Sequence, residues 1–426
     1  MRVGIATCDI TPDHPILMSG YGPDRMSEGA YHPLSATCFV FDNGHTRVGF
    51  MALDILMVDD FILVPVRHAA ARNGIAAEAF MMNSSHTHTG PVTERVRSPI
   101  RIFDDEYLGW FRDRLCGLVD EAVADLREAT LDYSVGWCSL GISRRRPFNS
   151  GLLPNPEKPI DPDVPVLRIL TPEGAIRGVV FSYACHLANN GGPLLGGDLA
   201  CFARDYVEAK IPGCTTAFLA GCGGDVKARL LDPVAERFGG GEVPELKSVG
   251  EELGRAVCAA LCGPKQPLGD ALAADSEIIH LPFDHQPTEQ ELASAGDNPY
   301  FLAWAKKARE WIAEHGKLIE ELPLEIQVLR LGDLYVACSA AETCVDIGLR
   351  LKRELPDLTV MTLGYSNGSW DYLATGEAFL WGNYEGTYSH MDTPYPWPKP
   401  VGLRPDADDI FNAQWVALVR RVSSCS

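Results

Sequence analysis

The sequence has few basic residues, no long apolar run and no Cys-x-x-Cys pair, and each absence excludes a class of protein. Lys and Arg number 37 against 57 Asp and Glu, and the resulting formal charge of −20 repels nucleic-acid phosphates and anionic lipids. No apolar stretch reaches the roughly 18 residues that a membrane-spanning helix needs. We therefore expect no nucleic-acid partner and no membrane span.

The cysteines indicate a reducing environment. Thirteen of them are scattered along the chain without paired spacing, so neither a disulfide scaffold nor a zinc ribbon is expected. The apolar stretch within residues 1–9 is too short for a secretory signal, and an acidic residue, Asp9, follows it too early. Residues 1–9 are instead expected to form a first strand. Together these features predict a cytoplasmic protein.

The hydropathy pattern alternates between strand and helix periods, which predicts an α/β fold with a sizeable core, since 46% of the residues are hydrophobic. Asn43-Gly44 between two apolar runs predicts a hairpin, and Asp104 is placed to cap a helix over 104–129. Residues 150–163 and 264–275 are expected to be loops rather than linkers, so 1–426 is expected to form one domain. The other predicted strands are 79–83, 164–170, 176–184, 215–219, 334–338 and a final one at 358–363. The other predicted helices are 198–210, 248–262, 344–354 and two that start after Asp59-Asp60 and at Asn298-Pro299.

Polar clusters directly follow five of these strands. They are residues 84–91 (Ser-Ser-His-Thr-His-Thr-Gly-Pro), Cys185-His186, residues 221–225 (Gly-Cys-Gly-Gly-Asp), Glu342 and residues 364–368 (Gly-Tyr-Ser-Asn-Gly). Ligands of α/β sheets bind outside the carboxyl ends of the strands, so the clusters predict one shared site.

The residue types in these clusters indicate a metal-binding site. Two histidines and a carboxylate with one open position form a common catalytic zinc shell, and His86, His186 and Glu342 can supply it. In His-x-His, one histidine can bind the metal while the other only hydrogen-bonds nearby. His186 or Glu342 alone would be an ordinary structural residue, so the metal hypothesis depends on their common placement.

Three further segments have two interpretations each. Residues 221–225 lack the spacing of a phosphate-binding loop, which favours a tight turn whose glycines let the backbone approach the site, with Asp225 behind the ligands. The basic run 143–147 is either a solvated loop or the source of an arginine that holds a substrate carboxylate or an oxyanion. Residues 388–400, with Tyr395-Pro396-Trp397, are either an aromatic wall over the site or an ordinary terminal segment.

These motifs resemble the catalytic domain of the neutral, non-lysosomal ceramidases, which are zinc-dependent hydrolases of N-acyl amides. The resemblance rests on residues 4–12, 85–91, 182–186, 221–226 and 367–372, which follow the family order across nearly the whole chain. The His-Thr-His-Thr-Gly-Pro motif is specific to the family. The other motifs are less specific one by one, and their shared order along the chain strengthens the resemblance. The resemblance implies an α/β fold of layered mixed β-sheets flanked by helices.

The resemblance also implies a role for each site residue. His88 would assist proton transfer, and Arg144 would be the arginine of the site, with Arg145 as the alternative. The substrate would be a small molecule with an N-acyl or other amide bond, linear or cyclic. The ligands of one Zn²⁺ ion per chain would be His86, His186, Glu342 and Tyr372.

Two departures from the family pattern bear on the substrate. Family members that act on ceramide carry a serine two positions after the Gly-Asp aspartate, whereas this chain has Lys227 there, so chemistry through a serine is not expected. The carboxy-terminal immunoglobulin-like domain of the secreted members is not expected, since 426 residues leave no room for it. The substrate is therefore expected to be a small acidic or hydroxylated amide rather than ceramide, with Lys227 as a candidate to bind its anion.

Two alternatives remain open from the sequence. One is an amidohydrolase-type barrel, in which His86 and His88 both bind metal and Lys227 bridges two ions as a carbamate. The other is a non-catalytic relative that only binds a ligand. Metal stoichiometry and hydrolysis assays distinguish the three hypotheses.

Overall fold

Three five-stranded sheets, each of which combines antiparallel and parallel strand pairs, form the frame of the fold. The computed structural model describes residues 1–21, 25–95, 103–149, 151–232, 234–294, 296, 298–391 and 398–425. The helices are α1 (Asp60–Arg72), α2 (Asp105–Ala124), α3 (Asp198–Lys210), α4 (Val243–Cys262), α5 (Glu289–Ala293), α6 (Pro299–His315), α7 (Val345–Glu354), α8 (Gly376–Trp381), α9 (Tyr384–Thr387) and α10 (Ala407–Ser423). The strands are β1 (Arg2–Asp9), β2 (Ser35–Asp42), β3 (Arg47–Leu53), β4 (Phe80–Ser84), β5 (Arg127–Glu128), β6 (Thr130–Trp137), β7 (Gly141–Ser143), β8 (Asp163–Leu170), β9 (Ile176–Tyr183), β10 (Thr215–Ala220), β11 (Val226–Ala228), β12 (Leu231–Asp232), β13 (Arg237–Phe238), β14 (Gln266–Leu268), β15 (Leu272–His285), β16 (Glu321–Leu331), β17 (Leu334–Ser339), β18 (Glu342–Thr343), β19 (Thr359–Leu363), β20 (Tyr372–Leu373) and β21 (Val401–Leu403).

The first sheet has the strand order β4-β3-β2-β1-β5 and is covered by α1 and α2. The predicted hairpin joins β2 to β3, and Asn43 closes it by accepting hydrogen bonds from the backbone N–H of His45 and Thr46. Asp59 and Asp104 cap α1 and α2 through their side chains, as side-chain oxygens at helix starts do. Local sequence therefore accounts for this sheet and its helices.

The other two sheets have the orders β10-β9-β8-β6-β14 and β19-β17-β16-β15-β21. Helices α3 and α4 pack on each other and on the second sheet, whereas α7 and α10 pack on the third. The antiparallel pair β15–β16 runs over eleven register positions from Leu272↔Leu331 to Pro282↔Glu321. Within the described residues, no helix combines the length and apolar character needed to cross a membrane.

Several predicted boundaries are wrong, for physical reasons. Helix α2 ends at Ala124 rather than at 129, because residues 127–128 pair with β1 as β5. Helix α4 starts at Val243, five residues earlier than predicted, because Glu242 and Glu245 form a capping box. The expected loop 264–275 contains β14 and the start of β15. Pro264, Pro267 and Gly269 give this stretch the composition of a loop, although it pairs as strands. The strand at 359–363 is also not the last element, since α8 to α10 follow it.

The parallel pairs of the three sheets end close together, and Asn83 at the end of β4 links them. Its amide nitrogen donates to the Gly364 carbonyl and the Ser366 hydroxyl, both at 2.9 Å, and its Oδ1 accepts from the Ala220 N–H at 2.7 Å. Asn83 is fully buried, so these bonds form away from water. The polar loops after β4, β9, β10, β17 and β19 are thereby held around one point.

Candidate metal centre

His86, His88 and His186 converge at this point. One ring nitrogen of each lies within 4.8 Å of the others. His86 and His186 are buried, and His88 is half-buried. The loops after two different sheets thus bring three imidazoles together, a donor set that suits a divalent metal ion.

The backbone holds His86 in one orientation and one tautomer. Its φ of 61° lies in the left-handed region, which a non-glycine residue adopts only when its surroundings enforce it. The His86 N–H donates to the Ile55 carbonyl at 3.0 Å, and ring Nδ1 lies 2.9 Å from the Leu56 carbonyl. Because a carbonyl only accepts, Nδ1 carries a proton, and Nε2 is the ring nitrogen that faces the site.

The pair formed by His86 and Glu342 tests whether a cation fits the site. Nε2 of His86 lies 3.1 Å from Oε2 of Glu342, and neither buried atom makes a hydrogen bond. Burial by itself raises the pKa of Glu342, but His86 and Tyr372 outweigh it, so the net pKa is lowered and the group is a carboxylate. Two electron-pair donors this close need a proton or a metal cation between them. The ring nitrogens of His88 and His186 lie close enough to share a metal ion with His86, so a metal is favoured over a proton.

His186 contributes a neutral imidazole to the same point. Its N–H donates to the Val226 carbonyl at 2.9 Å, Nδ1 lies 3.1 Å from the Tyr365 hydroxyl, and Nε2 lies 3.0 Å from Nε2 of His88. Burial, aided by the charge of Arg144, lowers the pKa of His186 well below its ordinary value. A neutral imidazole is the form that binds metal.

A short parallel pair places Tyr372 beside Glu342. Strands β18 and β20 put the two residues opposite each other, and Asp371 supports both. The Asp371 carbonyl accepts from the Glu342 N–H at 2.9 Å, and its carboxylate accepts from the Tyr372 N–H at 2.8 Å. The Tyr372 hydroxyl is close enough to Glu342 to help lower the pKa of that carboxyl. The structure thus brings the four residues of the expected ligand set to one place.

Both candidate arginines are buried, and the structure gives them different positions. Arg144 donates from Nη2 to the Tyr372 hydroxyl at 3.0 Å, whereas Arg145 donates to the Gly151 carbonyl. Both also contact the buried carboxylate of Glu385, Arg144 at 3.2 Å and Arg145 at 2.6 Å. Arg144 is therefore the arginine that touches the ligand set.

Asp225 lies behind the site, where it supports the loops that surround it. Its Oδ1 accepts from the Val345 N–H at 2.8 Å, at the start of α7, and its Oδ2 lies 3.2 Å from Nζ of Lys158. The Asp225 carbonyl accepts from the Arg144 N–H at 2.9 Å. The turn before it is tight, since a Cβ on Gly223 would lie 2.4 Å from the Cys185 nitrogen. This close approach favours the tight-turn interpretation of residues 221–225.

Lys227 lies on β11, next to Val226, and is half-buried. Its Nζ is 5.3 Å from the centroid of the Phe238 ring.

Two residues of the site, Tyr365 and Glu385, are not among the residues that the sequence predicts for it, although Tyr365 falls inside the polar segment 364–368. Nothing local marks Glu385. The predicted aromatic wall at Tyr395-Pro396-Trp397 lies outside the described residues.

Comparison with known proteins gives matches among the curated proteins and among the solved structures. No protein-family model matches the chain. The chain is 23% identical over 461 residues to the neutral ceramidase of Pseudomonas aeruginosa, a match that covers 90% of this chain and 68% of the relative. The crystal structure of the Pseudomonas aeruginosa neutral ceramidase has a TM-score of 0.76 at 19% identity, over 99% of this chain and 75% of that one. A ceramidase complexed with C2 has a TM-score of 0.77 at the same identity and coverage.

These likenesses decide the fold. The predicted α/β fold of mixed sheets flanked by helices is confirmed. The described strands form open sheets rather than a closed parallel barrel, so the amidohydrolase-type barrel with its Lys227 carbamate is wrong. The chain is a homologue of neutral ceramidase, and it has the ceramidase fold.

Proposed function

We propose that the protein is a zinc-dependent hydrolase of an N-acyl amide bond, with one metal ion per chain. The observation that carries the proposal is the buried contact between Nε2 of His86 and Oε2 of Glu342, two facing electron-pair donors at 3.1 Å. The likeness to ceramidases, enzymes named for cleaving the amide of ceramide, supports the reaction class.

The residues that would hold the metal are His86, His186, Glu342 and Tyr372. Zinc prefers nitrogen and oxygen donors of this kind in a catalytic site. When bound, the metal would supply a Lewis acid that polarises the amide carbonyl and lowers the pKa of a water molecule toward neutrality. The Leu56 carbonyl and Tyr365 hydroxyl orient the two imidazoles, as outer partners of metal-binding histidines do.

The other site residues would handle protons and charge. His88 is half-buried and lies 3.0 Å from His186, so it can protonate the departing nitrogen, a contribution on the order of 10²–10⁴-fold. Arg144 would offset negative charge on the substrate oxygen, and Glu385 and Asp225 hold that arginine in place. The amide can be linear or cyclic. With Lys227 where ceramide-hydrolysing members have serine, ceramide itself is not the proposed substrate.

Metal analysis combined with a hydrolysis screen tests the proposal. The screen covers short N-acyl amines, N-acyl amino acids and lactams. His86→Ala is expected to abolish both metal content and turnover, whereas His88→Ala is expected to retain the metal and lose turnover. His45→Ala, at an exposed histidine, is the matched control and should behave as the unmodified protein.

Two results would overturn parts of this proposal. Loss of metal in both the His86 and His88 variants would make His88 a ligand and end the division of roles. A purified protein without metal and without hydrolysis of any N-acyl compound would instead favour the non-catalytic relative. We also propose a cytoplasmic location, which is supported by all thirteen cysteines being free thiols.

A further inference from the structure

Lys227 differs in its surroundings from three other buried or half-buried lysines of this protein. Lys158 contacts Asp225 and Asp346, Lys352 contacts two aspartates, and Lys399 contacts Asp371. Lys227, by contrast, has no carboxylate within ion-pair distance of its Nζ and no hydrogen-bond partner among the residues that the structure describes. A half-buried ammonium without an anion is costly, so an anion from outside the chain is the expected partner.

The position of Lys227 in the chain places its backbone next to the candidate metal centre. Strand β11 pairs with β7, which places Val226 opposite Ser143 and directly before Lys227. The Val226 carbonyl accepts from the His186 N–H at 2.9 Å, so Lys227 is one residue from a backbone contact with the site. Its charge also contributes to the lowered pKa of His186.

The nearby buried carboxylate of Asp198 does not serve as the partner of Lys227. Asp198 accepts hydrogen bonds from the backbone and side-chain amides of Asn189, both at 2.9 Å, and from the Leu199 N–H at 2.7 Å. These three donors satisfy the carboxylate within its own loop. The Lys227 ammonium therefore stays available to a ligand, with the Phe238 ring 5.3 Å away on one side.

We propose that Lys227 binds a carboxylate of the substrate, so that the amides cleaved at this site carry a free carboxylate, as N-acyl amino acids do. The inference rests on the proposed function for the reaction, but the binding step can be measured alone. One ammonium matches the single charge of a carboxylate. In a chain with a net charge of −20, a local cation is also what lets an anionic substrate bind against the overall repulsion.

A pair of ligands that cannot be hydrolysed tests the binding step. The acid is the ketone isostere of N-pentanoylglycine, in which a methylene replaces the amide nitrogen, and the neutral control ligand is the alcohol in which a hydroxymethyl group replaces the carboxylate. Calorimetry on the metal-loaded protein should give at least about tenfold tighter binding of the acid. Lys227→Met should remove this preference and Lys227→Arg should keep part of it. Lys265→Met, at an exposed lysine between α4 and β14, should leave it unchanged.

The outcomes separate this inference from the proposed function. Equal affinity for the acid and the alcohol, binding of neither ligand, or an equal loss of both in Lys227→Met overturns the role of Lys227, whatever the protein hydrolyses. A preference for the acid that depends on Lys227, without hydrolysis of N-pentanoylglycine or any other amide, supports Lys227 and overturns the hydrolase. Hydrolysis of neutral amides without a preference for the acid does the reverse.

Discussion

Glu385 is the carboxylate on which Arg144 and Arg145 meet, and it offers a quantitative test of how the site is held. All three side chains are almost completely buried, with 1% of Glu385, 5% of Arg144 and 4% of Arg145 exposed. Glu385→Gln keeps the shape of the side chain and removes its charge. Arg145→Met removes one cation instead and leaves the contact between Arg144 and Glu385 intact.

The expected magnitudes follow from this difference. Removing one partner of a buried ion pair costs about 3–5 kcal/mol, because the other charge is left in a medium that solvates it poorly. Glu385→Gln should reach this range, since it takes the carboxylate from both arginines. Arg145→Met should cost roughly half as much, because the remaining pair is balanced. The double variant should cost less than the two single changes added together, since neighbouring sites couple.

Urea unfolding followed by circular dichroism at neutral pH measures these free energies. Metal content should also fall in Glu385→Gln, because Arg144 would no longer be held against the Tyr372 hydroxyl. The reasoning is refuted if Glu385→Gln loses no more free energy of unfolding than Arg145→Met. In that case the arginines would not depend on the charge of Glu385.

Two further predictions concern packing and pH. Gly223→Ala should lower stability by about 1–3 kcal/mol and reduce metal content, because the added Cβ would lie 2.4 Å from the Cys185 nitrogen. Gly109→Ala, where nothing lies within 4 Å, is the control and should be neutral or slightly stabilising; equal effects would contradict the close packing. Burial, with the charge of Lys399, lowers the pKa of His390 from its ordinary 6.5 to about 3. Between these two pH values His390 is protonated in the unfolded chain and neutral in the folded one. The free energy of unfolding should therefore fall as the pH drops from 6.5 toward 3. His390→Leu should flatten this pH dependence, as measured by urea titrations. An unchanged slope in that variant would exclude His390 as the source.

Much of the fold follows from local patterns. The Asn43 hairpin and the caps at Asp59 and Asp104 form where the sequence predicts them, because turns and caps use neighbouring residues. The polar clusters after five strands also lie together, as the general rule for α/β sheets requires. The boundaries that were predicted wrongly, such as the end of α2, depend on strand pairing between residues far apart in the chain.

The sequence by itself determined which kinds of donor the site would contain and which strand ends would carry them. Only the tertiary structure decided which arginine faces Tyr372, that Asp225 supports loops, and that Lys227 has no carboxylate partner among the described residues. Arg144 and Glu385, for example, are 241 residues apart. Contacts of this kind leave no periodic or neighbouring signal in the sequence, because they form only when the packed sheets bring the distant segments within hydrogen-bonding distance.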